Sequence, residues 1–278
     1  MKFILPKNRN SFIFFKSILF YLSKFTSISL IENYSLFQII IILVTYLFAS
    51  SVKGVTGLGF STVCLPILAL TVGLKAALPL LIIPSLLSNI IIMKKVGNFQ
   101  TTFYRFRSML LATSLGVIFG LILLSEIDGN LAGAVLGLIL ILWCMFSYIA
   151  PDFKLPEPKE RQFGILSGLT TGFINGLTGS QVMPCVPYLL ALKLDRNVFI
   201  QATNTSFTIS SLIMALGLIR LELFTVNVLK LSMIGLIFVF LGLQFGSRIR
   251  SQLSPDSFRM ATLAILFFTA LGLLLKAT

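Results

Sequence analysis

The chain has 278 residues, of which 56% are hydrophobic and only 11% are charged, and its net charge is +13. A soluble domain carries about 25% charged residues because its surface faces water, so this composition excludes an ordinary soluble fold. All nine acidic residues lie between apolar runs, as is required of segments that sit in hydrocarbon. The excess of basic residues is accompanied by neither zinc-ligand spacing nor a recognition helix, which argues against nucleic-acid binding.

Residues 1–35 form a basic arm before the first uninterrupted apolar run. Within it, Ser11–Leu22 resembles the core of a signal peptide, but Lys16 interrupts that core and no small-x-small cleavage site follows. We therefore predict an interfacial amphipathic helix on the membrane surface.

Eight apolar segments follow, most of them close to the ~20 residues that span ~30 Å of hydrocarbon. In chain order they are Leu36–Val52, Ala76–Met93, Ser108–Leu124, Leu131–Ala150, Phe163–Leu192, Asn197–Ile219, Leu231–Ser247 and Met260–Leu275. The predicted fold class is all-α: a polytopic membrane protein of about eight hydrophobic segments in two repeats, each with one broken element made of two half-helices.

Two apolar stretches are too long for one crossing. The first continues from Leu36 past Lys53 and three glycines to Gly73, and the second contains Asn175-Gly-Leu-Thr-Gly-Ser180 near its middle. At ~1.5 Å per residue, one helix of either length would exceed the thickness of the bilayer. Because glycine unwinds a helix locally, we predict two half-helices joined by irregular backbone at membrane depth in each stretch.

The two breaks are followed by the same order of features. A shift of about 121 residues superimposes Cys64 on Cys185, Pro66 on Pro187, Lys75 on Arg196 and Ser85 on Ser206. We therefore divide the chain into the basic arm (1–35), a first transmembrane repeat (36–150), a polar linker (151–162) and a second transmembrane repeat (163–278).

The charges of the loops predict the orientation. The N-terminal arm, Lys94–Arg107 and Lys154–Arg161 are basic, whereas Ser125–Asn130 has two acids and no base. Counting the first four segments as single crossings places the three basic regions in the cytoplasm, where Lys and Arg concentrate, so the N-terminus is expected to be cytoplasmic. The side of the arginines at positions 248–259 stays open, because it depends on whether the second broken element crosses once or twice.

A half-helix that begins inside the membrane presents unpaired N–H groups and the positive end of its dipole, and two of them can bind an anion. We expect Ser61 and Thr62 to begin one second half-helix and Ser180 and Gln181 the other, where they can cap the helix and reach a ligand. The candidate substrate-binding residues are Gly57, Gly59, Ser61, Thr62, Asn89, Asn175, Gly179, Ser180, Gln181, Asn204, Thr205 and Ser206.

Several of these features have a packing alternative. Four glycines recur at every fourth position, which is typical of closely packed membrane helices; they are Gly164, Gly168, Gly172 and Gly176. Gly57, Gly59 and Gly179 do not continue that stripe. Three cations near the breaks are predicted to attract an anion, namely Lys53, Lys75 and Arg196. Alternatively, Lys53 reaches the membrane interface and the other two are ordinary loop charges.

The sequence has no His, no Asp or Glu within an apolar segment and no Walker-type loop. An ATPase, a hydrolase and a carboxylate proton relay are therefore not expected, and we predict no enzymatic activity, no metal and no cofactor. Proton coupling stays open because no side chain is assigned as the carrier. The oligomeric state is not predicted.

Two glycine-rich motifs occur in duplicate. The first is Gly54-Val-Thr-Gly57-Leu-Gly59-Phe60, followed by Leu65-Pro66 and Pro84-Ser85; the second runs from Gly172 to Pro184 and is followed by Gln201-Ala-Thr203. Together they make residues 36–278 resemble the sulfite exporter TauE/SafE family. The resemblance implies an ion-coupled bacterial inner-membrane transporter linked to export of sulfite, sulfoacetate and related anions. The chain departs from the family pattern in its long arm and in Pro84-Ser85, where Thr-Ser is typical.

We therefore predict a secondary transporter in the cell inner membrane that exports sulfite or an organosulfonate by alternating access. Its partners would be this small anion and the lipid bilayer. The alternatives are a membrane scaffold or assembly factor that transports nothing, and an anion channel.

Overall fold

The computed structural model describes residues 34–149, 154–250, 252 and 255–277, and within them the chain is all-helical, with ten α-helices and no strand. The predicted helix of the N-terminal arm lies outside the described residues. The helices are α1 (Leu36–Thr56), α2 (Phe60–Val72), α3 (Leu74–Val96), α4 (Phe99–Glu126), α5 (Gly129–Ile149), α6 (Glu160–Thr178), α7 (Cys185–Ala191), α8 (Arg196–Arg220), α9 (Val226–Ile249) and α10 (Pro255–Ala277).

The all-α polytopic fold is confirmed. Among the described residues, seven helices are long and apolar enough to cross a membrane, namely α1, α3, α4, α5, α8, α9 and α10. Large apolar side chains on their outer surfaces are exposed, for example Leu216 and Phe268 at 70% each. Such a surface is unfavourable in water and is expected against lipid.

The first predicted break is present between α1 and α2. Gly57 ends α1 with φ +84° and Gly59 precedes α2 with φ +89°. Both values lie in the left-handed region that only glycine adopts without steric cost, which explains why glycines mark this break. The second half-helix starts at Phe60, next to Ser61 as expected.

The second break is also present, but it is longer than predicted. Gly179 ends α6 with φ +81°, and α7 begins only at Cys185, after Pro184 at its N-cap. The expectation that Ser180 and Gln181 begin this half-helix is therefore wrong. Both lie in irregular backbone, and α7 has only seven residues.

Each broken element doubles back instead of crossing once. Gln38 Nε2, near the start of α1, donates to the Thr71 carbonyl near the end of α2 (3.5 Å). In the second element, the Leu155 N–H, ahead of α6, donates to the Ala191 carbonyl at the end of α7 (2.9 Å). The single-crossing count of the first segments was therefore wrong, because α2 returns the chain to the side on which α1 begins.

The helix ends lie on two sides of the molecule. On the Lys75 side, Gly129 at the start of α5 lies beside Lys75, and Lys276 at the end of α10 donates to the carbonyl groups of Ala69 and Leu70 (3.4 and 3.3 Å). On the Arg196 side, the ends of α1, α5, α7 and α9 and the starts of α8 and α10 surround one cavity.

This arrangement answers part of the orientation question. Lys94–Arg107 and Lys154–Arg161 lie on the Arg196 side, joined there by the ion pair of Arg105 with Glu160 (2.9 Å), and Arg250 lies on the same side. The acidic segment Ser125–Asn130 lies on the Lys75 side, opposite these two basic segments, as the contrast in their charges predicted. Tyr34, the first described residue, also belongs to the Lys75 side because it directly precedes α1.

Glycines let two pairs of helices pack backbone against backbone. A Cβ added at Gly168, Gly172 or Gly176 of α6 would overlap a carbonyl oxygen of α4, which confirms the packing interpretation for these three. Gly164 instead faces the side chain of Tyr188, whose hydroxyl would lie 2.8 Å from an added Cβ. Contacts between α1 and α9 are of the same kind, since a Cβ at Gly54 would lie 2.6 Å from the carbonyl oxygen of Leu243.

Candidate functional site

A cavity of about 990 Å³ connects the Arg196 side with both breaks. Its buried end is formed by Gly59 and Thr62 from the first broken element and by Val182 and Val186 from the second. The exposed end carries four basic residues, Lys193, Arg196, Arg250 and Arg259, and no described Asp or Glu lines the cavity. Aromatic side chains including Trp143, Phe199 and Phe207 form much of the wall between them.

This lining favours an anion. Field lines from clustered cations at the mouth of a low-dielectric cleft raise the local concentration of negative solutes. Apolar and aromatic walls with a few polar groups are typical of sites for small organic ligands. The predicted attraction by Arg196 is compatible with its position at the mouth, whereas Lys75 lies on the opposite side, beside Gly129.

Each break packs against a helix of the other half of the chain. Asn204 Nδ2 on α8 donates to the carbonyl of Gly57 (3.2 Å) and to that of Ile200 (2.8 Å). In the other half, a Cβ added at Gly179 would overlap Leu78 of α3. The two breaks thus lie where the halves meet, which is the place where relative motion of the halves would change their surroundings.

Lys53 and Asn175 hold equivalent places in the two broken helices. The N–H of Gly57 donates to the Lys53 carbonyl and that of Gly179 to the Asn175 carbonyl, both at 2.7 Å. Both side chains are buried, at 2% and 1% exposure. The alternative that Lys53 reaches the membrane interface is therefore wrong; its Nζ instead donates to Asn89 Oδ1 on α3.

Several buried polar atoms in this region have no hydrogen-bond partner among the described residues. They are Asn89 Nδ2, Ser167 Oγ, Thr171 Oγ1, Asn175 Nδ2, Ser180 Oγ, Gln181 Oε1, Asn204 Oδ1 and Ser206 Oγ. Ser206 nevertheless lies beside the thiol of Cys185. Native proteins leave few such atoms unpaired, and each of them requires an explanation such as a bound water, an ion or a functional role. Most of these atoms belong to residues that the sequence singled out.

Ser61, Thr205 and the amide nitrogen of Gln181 have ordinary partners. Ser61 Oγ lies 3.1 Å from Ser85 Oγ, and Gln181 Nε2 donates to Ser211 Oγ (3.2 Å). Thr205 Oγ1 donates back to the Gln201 carbonyl (2.8 Å), a common use of threonine inside membrane helices. Capping was not found: Gly59 and Pro184 are the N-caps of α2 and α7, and neither helix start has a side-chain cap.

Some residues of this region were missed by sequence reasoning. Ser167 and Thr171 lie one turn apart on α6. The spacing of these two hydroxyl residues beside the glycine stripe could have identified them from the sequence. Trp143, Arg250 and Arg259 line the cavity only because distant helices converge there, and nothing local in the sequence indicates that. In the described part of the chain, no group of His, Cys, Asp and Glu could hold a metal ion.

Comparison with known proteins gives one match. The family model described as Sulfite exporter TauE/SafE matches residues 42–273, a range that includes both breaks and the linker. No curated protein matches the chain, and no solved structure does.

Proposed function

The chain belongs to the sulfite exporter TauE/SafE family, a family of membrane transporters, and we propose that it exports sulfite or an organosulfonate by alternating access. It is accordingly a multi-pass membrane protein of the sulfite or sulfonate transporter type, and its family is not one of enzymes. The observation that carries the proposal is the cavity, whose cationic mouth leads to polar backbone at both breaks.

We propose that the halves are repeats of inverted topology, with the first at 36–150, the linker at 151–162 and the second at 163–278. Helix direction supports this division. The first broken element begins on the Lys75 side and the second on the Arg196 side, and each doubles back at a glycine with positive φ. Inverted repeats whose broken helices meet near the membrane midplane are the common basis of alternating access.

In the proposed cycle, the anion enters from the Arg196 side and meets the start of α2. The first backbone N–H groups of a helix have no partner within it, and those of α2 lie beside Gly59 and Thr62 at the buried end of the cavity. Because α7 has only seven residues, its N-terminus attracts an anion less strongly than that of α2. We therefore assign anion binding in the second half to side chains of the 180–184 segment and to Asn175. Motion of one repeat against the other would then open the Lys75 side.

We propose that the Arg196 side faces the cytoplasm and that the protein resides in the cell inner membrane. Basic residues concentrate on that side, as they do in cytoplasmic loops. Ser125→Cys and Asn197→Cys test this orientation in intact cells with a membrane-impermeant thiol reagent, because the three native cysteines are buried. Only Ser125→Cys should react with the reagent from outside the cell. Reaction of Asn197→Cys alone would contradict the proposed orientation. Tyr34 lies on the opposite, Lys75 side, so the predicted cytoplasmic N-terminus agrees with this orientation only if the chain crosses the membrane before Tyr34. A tag at Met1 tests that prediction separately.

The deciding experiment is flux in proteoliposomes with sulfite, methanesulfonate and isethionate. We expect saturable flux of at least one of them, accelerated by the same anion on the opposite side, which a carrier shows and a channel does not. Flux without such acceleration favours the channel. Absence of flux for every anion, with the protein folded, would favour the scaffold and sink the transport proposal.

The candidate residues are tested in the same assay. We expect Asn175→Ala, and replacement of Gly179 by a bulky residue, to abolish flux while the protein remains in the membrane. Asn130→Ala is the matched control, because Asn130 is exposed in the first turn of α5, away from the cavity. Unchanged flux in the Asn175 variant would return this residue to a packing role.

A further inference from the structure

Lys53 is an unusual residue in the described part of the chain. It is the one charged side chain there that is buried, with 2% exposure. Its Nζ donates to Asn89 Oδ1, and no other polar contact to this nitrogen exists among the described residues. No described carboxylate forms an ion pair with it. A buried cation without a counter-charge is strongly unfavourable, so something else must compensate for it.

The elements packed around α1 supply no counter-charge. On α2, the titratable Cys64 is buried, and the described hydrogen bond of Lys53 goes to Asn89 and not to this thiol. The charged side chains on the other neighbouring helices are all basic, and none of them is buried. They are Lys75, Lys94 and Lys95 on α3, Arg196 and Arg220 on α8, and Lys230 and Arg248 on α9, which Arg250 follows. An anion from outside the chain would therefore find only attraction here.

The surroundings of the Lys53 amine also contain an unused donor. Asn89 accepts from the amine through Oδ1, while its Nδ2 has no described partner although Asn89 is only 1% exposed. Ser85 lies one turn away on α3 and shares a hydroxyl contact with Ser61 of α2. An ammonium group and an amide N–H₂ side by side are the donors that an oxyanion accepts from.

We propose that the anion passes from the start of α2 to a deeper centre formed by Lys53 and Asn89 and that the Lys53 amine carries a proton together with the anion. This inference rests on the transport function proposed above. The amine is protonated when an oxyanion lies beside it and neutral when the centre is empty, because a buried ammonium group is tolerated only when an anion pairs with it.

The proposed cycle balances charge. The neutral amine takes one proton from the water on one side as one monovalent sulfonate binds, which gives an ion pair of ammonium and sulfonate. On the other side the sulfonate leaves and the amine returns its proton to water. One proton and one anion have then moved together, and the empty carrier returns uncharged. Export therefore proceeds when the outward gradient of the anion exceeds the inward gradient of protons.

Access to this centre requires the proposed motion of the repeats. Val52, Val55 and Thr56 of α1 line the cavity, whereas Lys53 does not, so in this structure the amine lies on another face of α1. The break at Gly57–Gly59 begins one turn later, and Gly57 is held by Asn204 of the other half. Displacement of the second half would thus alter the backbone next to the amine.

The test measures proton movement with the anion. Full-length protein is reconstituted with a pH-sensitive dye inside the vesicles, and the membrane potential is clamped. Methanesulfonate and isethionate are the probes because they stay ionised at neutral pH and bring no proton of their own. For the wild type, an inward sulfonate gradient should acidify the lumen, and a pH gradient alone should drive sulfonate accumulation.

Two variants probe the centre itself. Lys53→Gln removes the charge and the transferable proton, so sulfonate flux should fall roughly thirty-fold or more and the remaining flux should not acidify the lumen. Asn89→Asp gives Lys53 a permanent counter-charge that competes with the substrate, so it should lose flux to a similar degree while the protein stays folded. Lys230→Gln, at a half-buried lysine on α9 outside this centre, is the matched control and should behave as the wild type.

Each outcome decides between the two proposals. Absence of flux for every anion in the wild type overturns the transport function itself. Wild-type flux without lumen acidification, or unchanged flux and acidification in Lys53→Gln, overturns the proton-and-anion centre and leaves transport standing. If Lys53→Gln does not fold, a folded Asn89→Asp protein with wild-type flux also overturns it. Transport of sulfite but of neither sulfonate overturns the monovalent sulfonate as the anion of this centre and leaves the transport function standing.

Discussion

Replacing Gly172 by alanine tests how closely α4 and α6 must approach. An added Cβ would overlap the carbonyl oxygen of Thr113 and would lie 2.9 Å from the carbonyl carbon of Thr113 and from the amide nitrogen of Val117. All three are backbone atoms of α4, so rotation of a side chain cannot relieve the overlap. The two helices would have to separate along a glycine stripe that now brings their backbones into contact.

The expected loss can be worked out from these contacts. Overpacking a close-packed site costs ~1–3 kcal/mol, and we take the upper end because the neighbours are backbone atoms. Alanine recovers ~1 kcal/mol relative to glycine through its helix propensity, which leaves a net loss of ~2 kcal/mol. At ~2–4 °C per kcal/mol for a chain of this size, the melting temperature should fall by roughly 4–8 °C.

The assay follows thermal unfolding in detergent with a fluorogenic thiol reagent. Cys64, Cys144 and Cys185 are free and buried, so they react as the fold opens. Gly133→Ala on α5 is the matched control, because its added Cβ would meet nothing closer than Leu273 Cδ2 at 3.9 Å. This variant gains helix propensity without overlap and should melt ~2–4 °C higher than the wild type.

Two results would refute the reasoning. If Gly172→Ala melts at or above the wild-type temperature, α4 and α6 are not in backbone contact at this position. If both variants melt lower by the same amount, the loss reflects the removal of glycine in general and not the contact between these two helices.

Three further predictions use the same protein. Trp143 is the single tryptophan of the chain and lines the cavity, so a transported sulfonate should change its fluorescence emission; unchanged emission at a saturating concentration contradicts the cavity as the substrate path. Gly59→Ala should cost only ~1–2 kcal/mol of left-handed backbone strain, because no atom lies within 4 Å of the added Cβ. The Cβ of Gly57→Ala would in addition lie 3.1 Å from Ile200, so this variant should melt at a lower temperature than Gly59→Ala. Equal melting temperatures of the two variants would contradict this difference. Arg105→Ala should cost at most ~1 kcal/mol, since the ion pair of Arg105 with Glu160 is partly exposed (46% and 21% of the two side chains). A fall of more than ~4 °C in melting temperature would show that this pair stabilises the fold more than a surface pair does.

The features that sequence predicted well are those with a local physical cause. Apolar segments of the right length became helices because every backbone group must be paired in lipid, and both breaks appeared because glycines there adopt positive φ. The glycine stripe on α6 was recognisable because small residues at every fourth position lie on one face of a helix. Each of these signals is contained in about twenty consecutive residues.

The features that sequence missed depend on contacts between distant residues. The return of α2 follows from its packing against α1, as the contact between Gln38 and Thr71 shows, and a count of apolar runs does not reveal it. The burial of Lys53 could not be predicted either, because Asn89, 36 residues later, supplies its acceptor. Local composition made interface exposure an equally reasonable interpretation.

The difference between Lys53 and Asn175 bears on how the proposed centre could work. The two residues occupy equivalent backbone positions, each four residues before a glycine with positive φ, and both are buried. A lysine in both halves would bury two cations, and a neutral residue in both would leave no group to carry a proton. One amine matches the charge of one monovalent oxyanion, and the neutral amide in the other half can contribute hydrogen bonds without further charge. The asymmetry between otherwise similar halves is therefore the feature that a carrier of one proton and one anion requires.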